Sequence, residues 1–303
     1  MYDIPILFIV FNRKETALKS LESIRRVKPR RLYLASDGAR DTRESGIVAD
    51  VRKSVIDSID WECEVRTLFQ ERNLGCGRGV FTAIDWLFEN EEAGIILEDD
   101  CIASPTFFPF ASEMLTRFAE DTRIGMIAGF NAIHLKDYPY SYLFSRFKSC
   151  WGWATWRRAW RNMDFPMEWR KDVYAESILA NSGYQGRDTG KWHFELKCID
   201  RGHVSAWDWQ WYFSLAAQNQ LCIYPASNQI SNIGNDANAT HTSLSHVELP
   251  WKELVFPLTP PHYVCPYLPF ERQFYRNDHT LHAYLTRLIP VPVKNRLKKI
   301  LSR

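Results

Sequence analysis

The sequence predicts an α/β protein, with a doubly wound, mainly parallel sheet in its first half and an irregular, aromatic-rich second half. Three observations predict it. Apolar runs of strand length alternate with helical patterns four times in about the first hundred residues, the rhythm of βα units. The runs are largely apolar, as strands buried on both faces must be. They end on polar or glycine residues, which in such sheets gather on one rim beyond the carboxyl ends of the strands.

The elements follow in chain order. Ile4 to Phe11 is the first strand, and a helix through Leu18, Leu21 and Ile24 follows until Pro29 stops it. Arg31 to Ala35 is the second strand, closing on Ser36-Asp37-Gly38, and a charged helix runs from Thr42 to Ser58. Cys63 to Phe69 is the third strand. A glycine-rich turn from Asn73 to Gly79 leads into a helix through Val80, Ile84, Leu87 and Phe88. Gly94 to Leu97 is a fourth strand that runs into Glu98-Asp99-Asp100. Ser104 as N-cap and Pro105 at the first helical position start the next helix, and Ile124 to Phe130 is a fifth strand. Beyond it the pattern loosens. A strand at Tyr142 to Phe147, helices near 171–181 and 189–201, a helix from Asp208 to Asn219 and a strand from Leu221 to Tyr224 are expected. The polar stretch 226–250 is a long loop of the kind that often serves function. This divides the chain into a regular first half at 1–130, a less regular second half at 131–250, and a C-terminal extension at 251–303.

Composition narrows the function. The chain has 303 residues, 46% hydrophobic and 24% charged, enough apolar matter for a sizeable core. A net charge of +2 gives no reason to expect a nucleic-acid partner. The 7 cysteines contain no C-x-x-C pair, which points to free thiols in a reducing compartment. The N-terminus enters a strand without the basic and long apolar regions of a signal peptide, and no apolar run approaches the roughly 20 residues that span a bilayer. The expectation is a cytoplasmic chain. Its tail, Lys294 to Arg303, sets Leu297, Ile300 and Leu301 among basic residues. That pattern suits peripheral contact with an anionic membrane, and equally a terminal helix docked on the body.

Four features carry chemistry. Glu98-Asp99-Asp100 places three carboxylates at a strand end, where they repel unless a cation compensates them. Hard Mn²⁺ or Mg²⁺ favours such oxygens together with substrate phosphates; a solvated acidic turn is the other reading. Gly75-Cys76-Gly77-Arg78-Gly79 lacks the full dinucleotide spacing. Gly77 is read as a close backbone approach to a nucleotide and Arg78 as a phosphate or base contact, against a plain tight turn. Asp208 stands between Trp207 and Trp209 at a helix start. It is either an N-cap or a general base whose aromatic neighbours limit its solvation. His241 in the polar loop is a metal or phosphate candidate, or a solvated surface histidine. The 12 tryptophans cluster between Trp151 and Trp211. Flat rings suit sugar C–H faces, so Trp151 and Trp153 are donor-contact candidates, although an aromatic core produces the same count. Paired-carboxylate glycoside hydrolysis is disfavoured, because adjacent side chains seldom straddle a bond.

With these residues in view, the chain resembles the GT-A N-acetylglucosaminyltransferase I family. The resemblance runs from Ile4-Pro5-Ile6-Leu7 through Asn12-Arg13, Ala35-Ser36-Asp37-Gly38 and Ile95-Ile96-Leu97-Glu98-Asp99-Asp100 to Ser104-Pro105-Thr106-Phe107-Phe108. It resembles still more closely bacterial glycosyltransferases that carry a Trp-Gly-Trp-Ala-Thr-Trp segment, here Trp151 to Trp156. The resemblance implies a GT-A (Rossmann-like) fold and a metal-dependent, inverting transfer from a nucleotide-sugar donor, a UDP-sugar favoured, to a glycan or glycolipid acceptor. It implies nucleotide contacts at Asn12, Arg13 and Asp37, a ribose contact at Asp99, a metal ligand at Asp100, a donor-sugar contact at Glu98 and the base at Asp208. Retaining transfer and non-catalytic carbohydrate binding stay open at this point.

Overall fold

A computed structural model describes residues 2–184, 188–202, 204–234 and 249–278. His241 and the basic tail lie outside the described residues. The first four strands are β1 (Ile6–Val10), β2 (Arg31–Ser36), β3 (Glu64–Phe69) and β4 (Ala93–Glu98). All four run parallel in the order β3-β2-β1-β4. Helices α1 (Lys14–Arg25), α2 (Thr42–Asp57) and α3 (Gly75–Asn90) are the crossovers between them. A short β5 (Cys101–Ala103) and α4 (Phe107–Arg117) follow.

The alternation of Cβ direction along each strand explains the layering. In β1, Ile6, Phe8 and Val10 face a core shared with Leu21 and Ile24 of α1 and with Val51 and Val55 of α2. Leu7 faces the opposite way, among Val80, Ile84 and Leu87 of α3. In β4, Ile95 and Leu97 join the first layer and Ile96 the second. Both faces are therefore covered, as the continuous apolar runs require.

The second half completes one sheet. Strands β6 (Ile124–Ala128), β7 (Tyr142–Ser145), β8 (Trp153–Trp156) and β9 (Leu221–Pro225) extend the order to β3-β2-β1-β4-β8-β6-β9-β7. β8 is antiparallel to β4 on one side and to β6 on the other, and β7 is antiparallel to β9. The six remaining strands share one direction, so the mainly parallel, doubly wound expectation holds. A short α5 (Arg157–Trp160) follows β8, and α6 (Ala175–Asn181), α7 (Thr189–Asp200) and α8 (Asp208–Ala217) cover the second half. Beyond β9, β10 (Ile230–Asn232) pairs antiparallel with β5.

Several sequence expectations are corrected. The glycines of 75–79 form the first turn of α3, not a turn before it. The helix expected at Ser104 begins at Phe107, with Ser104 Oγ accepting from the Phe107 amide at 3.1 Å. The tryptophan concentration is largely core. Trp153 is fully buried, stacked on Trp207 with ring centroids 5.7 Å apart, and adjoins Trp160 and Trp211. A ring enclosed in this way has no face to offer a donor, which removes Trp153 from the contact set.

The C-terminal extension is tied to the sheet. Helix α9 (Leu268–Asp278) buries Phe270 in the second core layer. Glu271 accepts from the Arg146 amide at 2.7 Å and from the Arg146 guanidinium at 2.6 Å, fastening α9 to the segment that follows β7.

Candidate functional site

Parallel pairing builds the site. Ile9 of β1 lies opposite Glu98 of β4, and Val10 lies opposite Ser36 of β2. Phe11 to Arg13, Asp37 and Asp99-Asp100 therefore leave the sheet side by side. The Arg13 guanidinium donates to the Asp99 carboxylate and, at 2.9 Å, to Asp100 Oδ2. The Phe11 amide also donates to Asp99, whose main-chain oxygen accepts from Ser20 Oγ at 2.8 Å.

The cation that three successive carboxylates demand is thus present within the chain. Burial works against the Arg13 charge, yet Asp99 and Asp100 more than offset it and hold the guanidinium protonated. Asp99, only 4% exposed, is pushed up to about 6 by burial despite its Arg13 partner. Glu98 is only weakly eased by the Arg13 charge, the smallest of the influences on it. Burial raises it well above the usual carboxylate range, and the anions at Asp100, Asp99 and Asp208 add to the shift.

A second segment closes over the triplet. The β5–β10 pairing sets Cys101 opposite Asn232. Asn232 Nδ2 then donates to Asp100 Oδ1 at 3.1 Å, and the Ile233 amide donates to the Asp100 carbonyl at 2.9 Å. Gly234 follows at the closest approach. A Cβ there would stand 2.2 Å from Asp100 Oδ2, so only glycine fits without displacement. Asn232 and Gly234 were missed in the sequence, where they sit in an unremarkable polar stretch. Their signal is spatial, because it depends on a three-residue strand pairing across the chain.

Asp208 is the first residue of α8, with half-buried surroundings. Burial raises its carboxyl to about 6, against the amides of Asp208 and Trp209, which favour the anion. The Asp208 charge in turn adds to the rise at Glu98. Cys76 lies within reach of all these charges. Its thiol is pushed up to about 12 by burial and by the charges of Glu98, Asp208, Asp37 and Asp100 together. The triplet and Asp208, more than a hundred residues apart in the chain, lie within electrostatic reach of each other.

Other sequence candidates hold structural positions. Asp37 caps α3: its Oδ1 accepts from the Leu74 amide at 2.9 Å and its Oδ2 from the Gly75 amide at 2.9 Å. Those amides, the ones a phosphate would seek at a helix N-terminus, are already engaged. Gly77 meets its own chain, because a Cβ there would lie 2.6 Å from the Ala206 carbonyl and its amide donates to Ser205 Oγ at 2.8 Å. This contact joins the start of α3 to the segment that leads into Asp208. Arg78 is exposed, with its guanidinium 4.8 Å from the Phe165 ring centroid. Asn12 donates to Glu44 Oε1 at 2.7 Å, and Glu44 is drawn down to about 2 chiefly by its hydrogen bonds from the Arg40 side chain. Trp151 is half-buried, edge-on to Phe130 with centroids 4.6 Å apart.

No family model matches the chain, and no curated protein does. Among solved structures, the chain is similar to the mannosyltransferase PcManGT from Pyrobaculum calidifontis in complex with GDP-Man and Mn²⁺, at 12% identity and a TM-score of 0.35, covering 60% of this chain and 52% of that one. It is also similar to an apo UDP-glucose pyrophosphorylase, at 8% identity and a TM-score of 0.36, covering 77% and 93%. The glycosyltransferase GlyE of Streptococcus pneumoniae aligns at 10% identity and a TM-score of 0.30, covering 75% and 55%. This chain thus spans about half the length of the mannosyltransferase.

The donor set bears on a divalent ion. Among the described residues, no three His, Cys, Asp or Glu side chains are grouped to hold a metal. Asp100 offers hard oxygens, its side chain is 18% exposed, and the guanidinium beside it shows that positive charge is accommodated there. The missing Cβ of Gly234 leaves a cradle over the same oxygen. Mg²⁺ and Mn²⁺ often take only one or two carboxylates and complete their shell with water and substrate phosphate. Asp100 fits that role. No helix among the described residues is long and apolar enough to cross a membrane.

Proposed function

We propose that the chain is an inverting, metal-dependent glycosyltransferase of GT-A type. It moves a hexosyl or N-acetylhexosaminyl group from a nucleotide-diphosphate sugar, a UDP-sugar favoured, to a hydroxyl of a glycan or glycolipid. The observation that supports this reading is that the Asp208 charge reaches Glu98 of the triplet. Burial raises Asp208 to about 6 and raises Glu98 well above the usual carboxylate range, so the two carboxyls differ in how readily they hold a proton. Two carboxyls with separated protonation serve two roles.

In this mechanism Asp208 accepts the proton of the acceptor hydroxyl as its oxygen attacks the anomeric carbon from the far side. The bond from that carbon to the diphosphate oxygen breaks, and the nucleoside diphosphate leaves with the electron pair. Protonated Glu98 donates a hydrogen bond to a donor-sugar oxygen. Asp99 faces the ribose, and Arg13 pairs bidentately with the departing diphosphate. A divalent ion held by Asp100 and the phosphates would supply further neutralisation of that leaving group. His241 is a second proposed ligand.

The test is donor turnover with UDP- and GDP-sugars in the presence of Mn²⁺. Asp100→Ala is expected to abolish metal-stimulated hydrolysis and transfer while leaving the protein folded by circular dichroism. Unchanged turnover in that variant would sink the proposal. The product anomer, read by NMR, checks inversion.

A further inference from the structure

We infer that Arg13 is a built-in counter-cation that keeps divalent metal off Asp100 until a nucleoside diphosphate arrives. The inference rests on the transferase reading and adds to it an order of events and the residue that enforces it.

Three observations carry it. First, both oxygens of the Asp100 carboxylate are engaged from within: Oδ2 accepts from Arg13 at 2.9 Å, and Oδ1 accepts from Asn232 at 3.1 Å and from Cys101 Sγ at 3.6 Å. Second, Arg13 is shared, since the same nitrogen also donates to Asp99, which is 4% exposed. Removing the guanidinium would leave two neighbouring anions, one of them buried, without compensation. Third, the cradle over Asp100 Oδ2 brings together this oxygen and the guanidinium. A Cβ on Gly234 would stand 2.2 Å from Oδ2 and 3.2 Å from Arg13 Nη1. A divalent ion that approaches Oδ2 alone therefore meets a like charge at the place it must enter.

A diphosphate reverses this balance. Arginine pairs with phosphate oxygens bidentately, so a diphosphate at the rim competes with Asp100 for the guanidinium. It also brings the additional negative charge that a divalent ion requires. Arg13 turns from the carboxylates to the phosphate, Asp100 Oδ2 is released, and the ion enters between the two. Metal and nucleotide then bind with positive coupling, and Arg13 is a positioning residue for the metal rather than a ligand.

The experiment is Mn²⁺ binding followed by electron paramagnetic resonance, on the full chain with and without UDP or GDP. Native protein is expected to bind Mn²⁺ about tenfold or more weakly without nucleotide than with it, within the ordinary range of coupling between sites. Arg13→Gln is expected to bind Mn²⁺ about tenfold more tightly than native protein in the absence of nucleotide, which collapses that ratio. Arg13→Lys keeps the charge but loses the fork, and should fall between the two; it serves as the test if the glutamine variant does not fold. Nucleotide-free Mn²⁺ affinity that is indifferent to Arg13 overturns the inference and leaves the transferase reading standing. Failure of every form to bind UDP or GDP, with or without Mn²⁺, overturns both.

Discussion

Asp208→Asn separates the cost of the site from its use. The Asp208 carboxyl stands at about 6 against an ordinary 3.8. Each unit corresponds to ~1.4 kcal/mol, so burial withholds at most about 3 kcal/mol from the folded state once both forms are ionised. Partial exposure screens this to about half, ~1.5 kcal/mol. The sign follows from the raised folded value: stability is full below the unfolded value of 3.8 and is lost as pH rises through about 6. Asparagine does not ionise and escapes the loss. By differential scanning fluorimetry the variant should melt about 2 °C above native protein at about pH 7.5, given an unfolding entropy near 0.6 kcal/mol per degree for a chain of this size. The gain should vanish as pH falls below about 4. Under the same proposal, transfer falls about a hundredfold or more, while nucleotide binding stays. In native protein the transfer rate should rise through pH ~6 and flatten above it. A variant no more stable than native protein at about pH 7.5 refutes the burial argument, and one that transfers at the native rate refutes the base assignment.

Three further outcomes are expected. Asp37→Ala strips the cap from the Leu74 and Gly75 amides and should cost ~1 kcal/mol in urea unfolding, in the range of lost helix caps. Gly77→Ala places a Cβ 2.6 Å from the Ala206 carbonyl. It should displace the segment before Asp208, lowering kcat for transfer with little change in donor Kd by calorimetry. Glu271→Ala leaves the Arg146 amide and guanidinium without their buried partner, and should destabilise the fold by ~3 kcal/mol or more in thermal melts.

The sequence disclosed most where the physics is local. Ile6 to Val10, Arg31 to Ser36 and Ala93 to Glu98 are strands because short, largely apolar runs bounded by polar residues have few other places to go. The convergence of Arg13, Asp37 and the triplet on one rim follows from parallel order alone. What stayed hidden depends on distant partners. Gly75 to Gly79 reads as a turn because glycine weakens helices, yet the Asp37 carboxylate caps α3 from another unit of the fold. Trp-Ala-Thr-Trp has no flanking βα rhythm, and nothing in its composition announces a strand at the middle of the sheet. Three like charges at 98–100 implied a cation, but a sequence does not say that Arg13 is within reach.

The place of β8 has a consequence for how the chain can be cut and made. β4 and β6 do not pair with each other; they are joined through β8, whose Trp153 and Ala154 pair with Ile96 and Ile95 on one side and with Ala128 and Ile127 on the other. As the chain is synthesised, both neighbours wait with open, apolar edges until residue 156 has emerged. A fragment that stops near residue 130 keeps the triplet but exposes the inner edge of β4, a template for pairing with other copies. The first half is therefore not a detachable module. It is closed by four residues that belong to the other half, and the triplet with its supporting strands cannot be transplanted without them.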